Sequence, residues 1–253
     1  MSCSFWRMLA GLFAALVFSS AAGAAEPAII AKARAHLGSE GALDGVKTVH
    51  FLGTLATLDP ADPQKEVRAK MEIIFQKPDQ QRIVATTEKS TEVTALDGYD
   101  AWQRLTDGAD PTKWRQTLLG GDQIKRLRAN TWENLSFYRG LERRGGQIED
   151  QGDANVEGVA CRKIAFIHSP TIVFYRFFEA ATGRLVHTMT ESGGTIREQG
   201  EIVVKGIRFP KSIVTETKTA AGKMQTVTIH FEKVMVNETL PSSLFALPPL
   251  SAR

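Results

Sequence analysis

The chain has 253 residues, of which 43% are hydrophobic and 23% are charged, the composition of a folded soluble protein. Its length fits one or two domains. The formal net charge of +3 is too small to favour nucleic acid as a partner.

The N-terminus has the features of a bacterial secretory signal peptide. Arg7 precedes an apolar core, Met8 to Phe18, that is too short for a membrane span. Ala22-Gly23-Ala24 is a small-residue cleavage site. We therefore expect residues 1–24 to be a signal peptide, residues 25–253 to be a single mature domain and the location to be the periplasm. An uncleaved membrane anchor is the alternative.

The first half of the mature chain predicts one helix followed by strands. Pro27 suits the first turn of a helix over residues 27–37, which Gly38 ends. Asp97-Gly98 is a strong hairpin signal between two later strands. The strand patterns cover residues 46–58, 67–76, 81–89, 91–96, 99–105 and 112–119.

Helical spacing returns once, at residues 123–138, with Asp122 as the expected N-cap. Residues 141–153 are polar and glycine-rich and predict a loop or a weak hairpin. In the irregular tail, Phe245 and Leu247 are expected to plug one end of the core. The remaining strand patterns cover residues 159–168, 172–179, 184–191, 195–204, 207–218 and 224–236.

Counted without residues 112–119, which are only a candidate short strand, these patterns amount to about eleven strands and two helices. A sheet of that width must curl or split, so the simplest architecture is one curved antiparallel sheet with an apolar concave surface that the helices cover. Residues 172–179 are apolar on both sides of the strand, which supports a cavity inside the sheet. An ordinary filled core between two sheets is the alternative.

Four local patterns follow one another along the mature chain. They are a helix leading into ALDGVKTVHFLGTLATL, then MEIIFQKPDQQRIVATT, then TALDGYDAWQRL, and finally closing strands from GRLVHTMTESGGT to ETLPSSLFALP. As an ordered set they resemble the bacterial lipoprotein-carrier family, which includes periplasmic lipoprotein chaperones, outer-membrane receptors and a related regulatory sensor domain.

The resemblance implies a mainly β fold, a half-open, strongly curved antiparallel β-barrel of about 11 strands with covering α-helices (LolA-like). It implies a non-enzymatic monomer that binds an acylated lipoprotein or lipid and has an inner- or outer-membrane protein as a further candidate partner. No cofactor is expected. Arg68 and Arg82 are both candidates for the family's functional arginine. An envelope-stress sensor that grips a membrane protein, and a hydrolase with an undetected site, are alternatives.

The expected ligand-binding residues are large apolar side chains on the candidate barrel strands. They are Phe51, Met71, Ile73, Phe75, Trp102 and Phe174. Because each strand alternates between two faces, the sequence leaves open which face of each strand points inward.

Motifs for catalysis or metal binding are missing from the sequence. The five histidines are dispersed, and no Gly-x-Ser-x-Gly or His-Glu-x-x-His pattern occurs. Cys161 is predicted to be a packed thiol, and nothing around Glu198 and Glu201 predicts a raised pKa. The basic runs at residues 125–128 and 143–144 are interpreted as a solvated helix face and a turn, with a binding patch as the alternative.

Overall fold

The computed structural model describes residues 26–58, 65–219 and 222–249, so the expected signal peptide lies outside the described residues. Within these ranges the chain forms 13 strands in one sheet, three α-helices and two short 3₁₀-helices. The helices are α1 (Ala28–Leu37), α2 (Glu40–Asp44) and α3 (Gly121–Leu135), and the 3₁₀-helices are Leu141–Arg144 and Ser242–Leu244.

The strands pair antiparallel throughout the sheet. They are β1 (Thr48–Leu58), β2 (Glu66–Gln76), β3 (Gln80–Thr86), β4 (Ser90–Asp97), β5 (Asp100–Asp107), β6 (Trp114–Leu118), β7 (Gln147–Val156), β8 (Val159–Ser169), β9 (Ile172–Glu179), β10 (Leu185–Thr190), β11 (Thr195–Val204), β12 (Ile207–Lys218) and β13 (Met224–Val236).

Strand order shows that the sheet is open. It runs β6-β5-β4-β3-β2-β1-β13-β12-β11-β10-β9-β8-β7, so β6 and β7 are edges and do not pair with each other. Side chains from β1, β3, β9, β11 and β12 nevertheless line a single cavity, which requires strong curvature. The predicted fold class, a half-open, curved antiparallel β-barrel, is confirmed, with 13 strands in the described part instead of about 11.

The two additional strands are β6, in the candidate segment 112–119, and β7, in a segment predicted as a loop or weak hairpin. Strand β7 is the one that the sequence pattern did not predict. Its side chains are mostly exposed, so it lacks the apolar alternation by which a half-buried strand is recognised. Its pairing with β8 is interrupted between Asp150 and Asp153, and Gly152 there has a φ of +92°. Polar side chains and a bulge are typical of an edge strand that resists pairing with other chains.

The predicted second helix differs from α3 at both ends. Its N-cap is Gly120 and not Asp122; the Gly120 N–H donates to Oε1 of Gln123, 3.1 Å away. The helix ends at Leu135 instead of continuing to Tyr138, because Phe137 and Tyr138 have positive φ values, which right-handed helices exclude.

Helix α3 lies across the open side of the curved sheet and contacts strands from both halves. Toward β3, Thr131 Oγ1 donates to the Gln81 side chain across 3.2 Å. Toward β9 and β10, Arg126 pairs with Glu191 at 2.7 Å. The helix therefore covers the concave face, as expected for a covering helix.

Helix α1 is held against the same region by a buried arginine. Arg34 is 1% exposed, pairs with Asp44 at 2.7 Å and donates to the backbone oxygen of Phe137 at 3.0 Å. The apolar side chains Ile29, Ile30 and Ala33 pack beside it in a core cluster with α3, β8 and β9. No helix in the described residues is long and apolar enough to span a membrane.

The C-terminal tail crosses the convex face of the sheet. Phe245 is fully buried, and its carbonyl oxygen accepts a hydrogen bond from Nε1 of Trp102 across 3.0 Å. Farther along, the carbonyl oxygen of Pro249 accepts from Arg104. Phe245 is thus a core residue, but on the outer face of the sheet, whereas Leu247 is 49% exposed.

Candidate functional site: an amphipathic cavity inside the sheet

A cavity of about 290 Å³ lies between the concave face and helix α3. This volume is close to the lower limit of about 300 Å³ for typical small-molecule pockets. The apolar lining residues are Leu37, Phe51, Ile73, Phe75, Ile83, Phe137, Tyr138, Phe174, Ile196, Phe209, Pro210, Ile213, Ile229 and Phe231. Alternation along each strand places the strand residues of this set, apart from Pro210, on one face of the sheet. Leu37, Phe137 and Tyr138 come from the segments that cover that face.

The apolar wall is built around Phe51 on β1. Its ring centroid lies 4.6 Å from that of Phe231, 5.8 Å from that of Phe209 and 6.5 Å from that of Phe75. Two of these pairs are edge-to-face, an arrangement that aromatic quadrupoles favour. The rings fix each other's positions and present carbon surface to the cavity.

The opposite wall is polar and centred on Arg176 of β9. Nη2 of Arg176 pairs with Oε2 of Glu133 at 2.7 Å, and Oε1 of Glu133 lies 2.6 Å from Nε2 of His168. The Arg176 guanidinium carbon is 4.8 Å from the ring centroid of Tyr138 and 5.2 Å from that of Phe166. The buried cation is thus held by one carboxylate and two aromatic faces.

Glu198 on β11 is the second carboxyl group at this wall. The surrounding protein desolvates the carboxyl group and raises its pKa, and the charge on Arg176 opposes this effect. The side chain is nevertheless accessible through the mouth of the cavity. The absence of any sequence signal for a raised pKa at Glu198 was therefore misleading, because the desolvation comes from distant parts of the chain.

Four of the six predicted ligand-binding residues line the cavity: Phe51, Ile73, Phe75 and Phe174. Met71 shares their face and packs in the same core cluster as Phe51, Ile73 and Phe75, but it does not line the cavity. Trp102 lies on the other face of the sheet, under the C-terminal tail. Whether any of the six contacts a ligand stays a prediction.

Cross-strand register explains the position of Trp102. Residues directly opposite each other on neighbouring strands share a face of the sheet. Following the pairs from Trp102 across the sheet leads through Ala95, Arg82 and Ile74 to His50. His50 is the neighbour of Phe51 on β1 and therefore faces the other way. Trp102 consequently points to the convex face.

Sequence reasoning missed the polar wall, namely Arg176, Glu133 and Glu198. One signal was available: Arg176 stands alone in the apolar segment IVFYRFFE. A charged side chain inside a buried strand has to be paired. Its partner could not be identified, because Glu133 lies on a helix some forty residues earlier in the chain.

The candidate functional arginines do not line the cavity. Arg68 is 75% exposed and pairs with Glu66, and Arg82 pairs with Glu72. Cys161 is buried with a free thiol whose pKa is raised by desolvation. The described residues contain no group of three or more His, Cys, Asp or Glu side chains that could hold a metal ion.

The fold is shared with solved bacterial structures at low sequence identity. A LolA superfamily protein from Nitrosomonas europaea aligns over 85% of this chain and 97% of its own, with 11% identity and a TM-score of 0.55. A DUF1329 family protein from Desulfovibrio piger aligns over 87% and 96%, with 9% identity and a TM-score of 0.55.

A domain from Vibrio parahaemolyticus named for outer-membrane lipoprotein sorting aligns over 86% of this chain and 94% of its own, with 10% identity and a TM-score of 0.53. No protein-family model and no curated protein match the sequence. At these identities the likeness shows the fold, which is LolA-like.

Proposed function

We propose that this chain, which has the LolA-like fold, is a periplasmic protein that binds the acyl chain of a lipoprotein or lipid in the cavity between α3 and the sheet. The single observation that carries the proposal is the two-sided cavity. Its carbon wall around Phe51 faces a polar wall around Arg176 and Glu198. An acyl chain with a polar linkage at one end matches both walls.

The expected energetics suit a carrier that must release its cargo. Each buried methylene contributes about 0.8 kcal/mol, so about ten methylenes would contribute on the order of 8 kcal/mol. Association costs of about 4–15 kcal/mol offset much of this gain. Because the cavity holds only about 290 Å³, we infer that part of a long chain extends through its open mouth.

Two further observations are consistent with an envelope role. The pattern of residues 1–24 is the one expected of a signal peptide that directs export to the periplasm. The sorting role named for the Vibrio parahaemolyticus domain is consistent with lipoprotein as cargo.

The direct test is mass spectrometry of an organic extract of the purified protein. We expect an acyl-containing compound at up to one mole per mole of protein. Adding an acylated peptide to delipidated protein should raise the melting temperature; at a ligand concentration of 100 Kd the expected gain is about 2.7 kcal/mol. No acyl compound in the extract and no shift with acylated peptide or phospholipid would reject the proposal.

A further inference from the structure

A second cleft in the described part of the chain is larger than the apolar cavity. It has a volume of about 950 Å³ and lies on the other side of α3. Its walls come from the β2–β3 turn, the β4–β5 turn, the first turns of α3, the 3₁₀-helix Leu141–Arg144 and the β8–β9 turn. Five segments distant in sequence thus form one concave surface.

The cleft brings together the two basic runs of the sequence. Four basic side chains, Lys125, Arg128, Arg143 and Arg144, line it with one acidic side chain, Asp79. Their net charge of +3 equals the formal net charge of the whole chain. The two runs do lie on a helix face and in a turn, as expected, and the fold brings side chains from both to one cleft.

Two of the arginines are fixed in position. Asp79 is 13% exposed and pairs with Arg128 at 2.9 Å and with Arg144 through its other oxygen. The Arg128 guanidinium also lies 4.0 Å from the ring centroid of Tyr99. One carboxylate shared between two guanidinium groups neutralises only one of the two charges and leaves the pair preorganised.

The charges of the other two basic side chains are even less neutralised by neighbouring carboxylates. Lys125 pairs with Asp122, whose side chain is 95% exposed, so this ion pair is weak in water. Arg143 has no carboxylate within 4.0 Å among the described residues. Both side chains are exposed at the edge of the cleft and are available to a ligand.

We propose that this cleft binds a phosphate-bearing anion. Arginine guanidinium groups match the geometry of phosphate oxygens, and lysine adds a compact charge. A phosphate carries up to two negative charges, so it neutralises the excess better than a carboxylate does. The chemistry is shared by a phospholipid head group and a soluble phosphate compound, and the test separates these sources.

The test uses the mature protein, two kinds of probe and a matched pair of variants. The first probe is vesicles of equimolar phosphatidylcholine and phosphatidylglycerol, compared with pure phosphatidylcholine in a sedimentation assay. The second is sodium phosphate, compared with sodium chloride at equal ionic strength in thermal melts. The test variant is Lys125→Gln/Arg143→Gln, and the control is Lys211→Gln/Lys233→Gln, which removes the same charge from exposed sites on β12 and β13.

We expect the test variant to bind the responsive probe about 30-fold more weakly than the parent, and the control to lose less than about threefold. Binding to the anionic vesicles alone identifies a lipid head group, and a phosphate-specific shift in melting temperature identifies a soluble phosphate. Absence of both responses overturns the proposal, as does an equal loss in both variants. Neither result depends on acyl binding, because Lys125 and Arg143 do not line the apolar cavity.

Discussion

The concave and convex faces of the sheet carry aromatic side chains of similar burial but have different covers. Phe51, on the concave face, is 6% exposed, and Trp102, on the convex face, is 4% exposed. Phe51 borders the cavity under α3, whereas the chain's own C-terminal tail lies over Trp102. Burial alone therefore does not identify the wall of a binding site. What distinguishes the two faces is whether the side chain borders a cavity or is covered by another segment of the chain.

The difference suggests separate roles for the two faces. On the convex face the chain's own tail packs over Trp102, and this contact contributes stability. The concave face carries apolar surface that lines the cavity and is available to a ligand. We expect substitutions on the concave face to change binding more than folding, and substitutions on the convex face to do the reverse.

The largest expected effect comes from a charge on the concave face. Phe174→Asp should abolish lipid binding, because an unpaired carboxylate in an apolar site costs several kcal/mol. The matched control is Tyr175→Asp, on the same strand but facing the other side, where Lys163 lies 4.5 Å from the tyrosine ring. A fluorescent fatty-acid displacement assay measures both variants, and thermal melts establish that they fold. Retained binding in folded Phe174→Asp would reject this wall assignment.

The next effect concerns the convex face. Trp102→Ala should lower the free energy of unfolding by about 3–5 kcal/mol, because it leaves a cavity under the tail. Ligand affinity of the folded fraction should stay the same. Leu118→Ala is the control, since Leu118 pairs with Trp102 across β5 and β6 but is 67% exposed; it should cost less than about 0.5 kcal/mol. Urea unfolding provides the comparison, and a larger loss of affinity than of stability in Trp102→Ala would contradict the assignment.

A smaller substitution separates packing from hydrogen bonding at the same contact. Trp102→Phe keeps an aromatic ring but removes the Nε1 donor to the Phe245 carbonyl oxygen. Leaving a buried carbonyl oxygen unpaired costs about 1–3 kcal/mol. We expect urea midpoints between those of the parent protein and Trp102→Ala. A variant as stable as the parent would show that water or another donor replaces the indole.

The smallest effect is a pH dependence on the convex face, at His50. Nε2 of His50 lies 3.2 Å from Glu72, and Nδ1 lies 2.7 Å from Glu238 of the tail. The nearby Glu72 carboxylate raises the pKa of His50; burial opposes this shift, and Glu238 adds to it. A raised pKa stabilises the folded protein. This stabilisation is complete at pH values below the ordinary pKa of 6.5, and it is lost as the pH rises through the pKa of His50 in the folded state.

We therefore expect the parent protein to be more stable than His50→Gln by on the order of 1 kcal/mol at mildly acidic pH, with the difference shrinking as the pH becomes alkaline. Urea unfolding at several pH values measures it. At the acidic end of the pH range this stabilisation ends with Glu72. Its pKa is lowered by the nearby His50 and by Arg82, and its contribution to stability is lost when the carboxylate is protonated. A difference that grows with rising pH would contradict this account.

Part of the candidate site was predictable from short-range pattern. Phe51, Ile73, Phe75 and Phe174 were found because large apolar side chains alternate along strands. Their placement around one cavity follows from the fold class. The polar wall was not predictable, since Arg176 and Glu133 meet only through the packing of α3 across the sheet.

The sequence by itself determined the positions of most strands, of helices α1 and α3, and of the apolar side chains that share a strand face. These features depend on residues that lie only a few positions apart. The tertiary structure alone decided which face became concave, since the side of Trp102 depends on four successive strand registers. It also decided that two basic runs share one cleft and that Glu198 and Arg176 line one cavity, because the groups that surround a charge are set by packing between segments far apart in the chain.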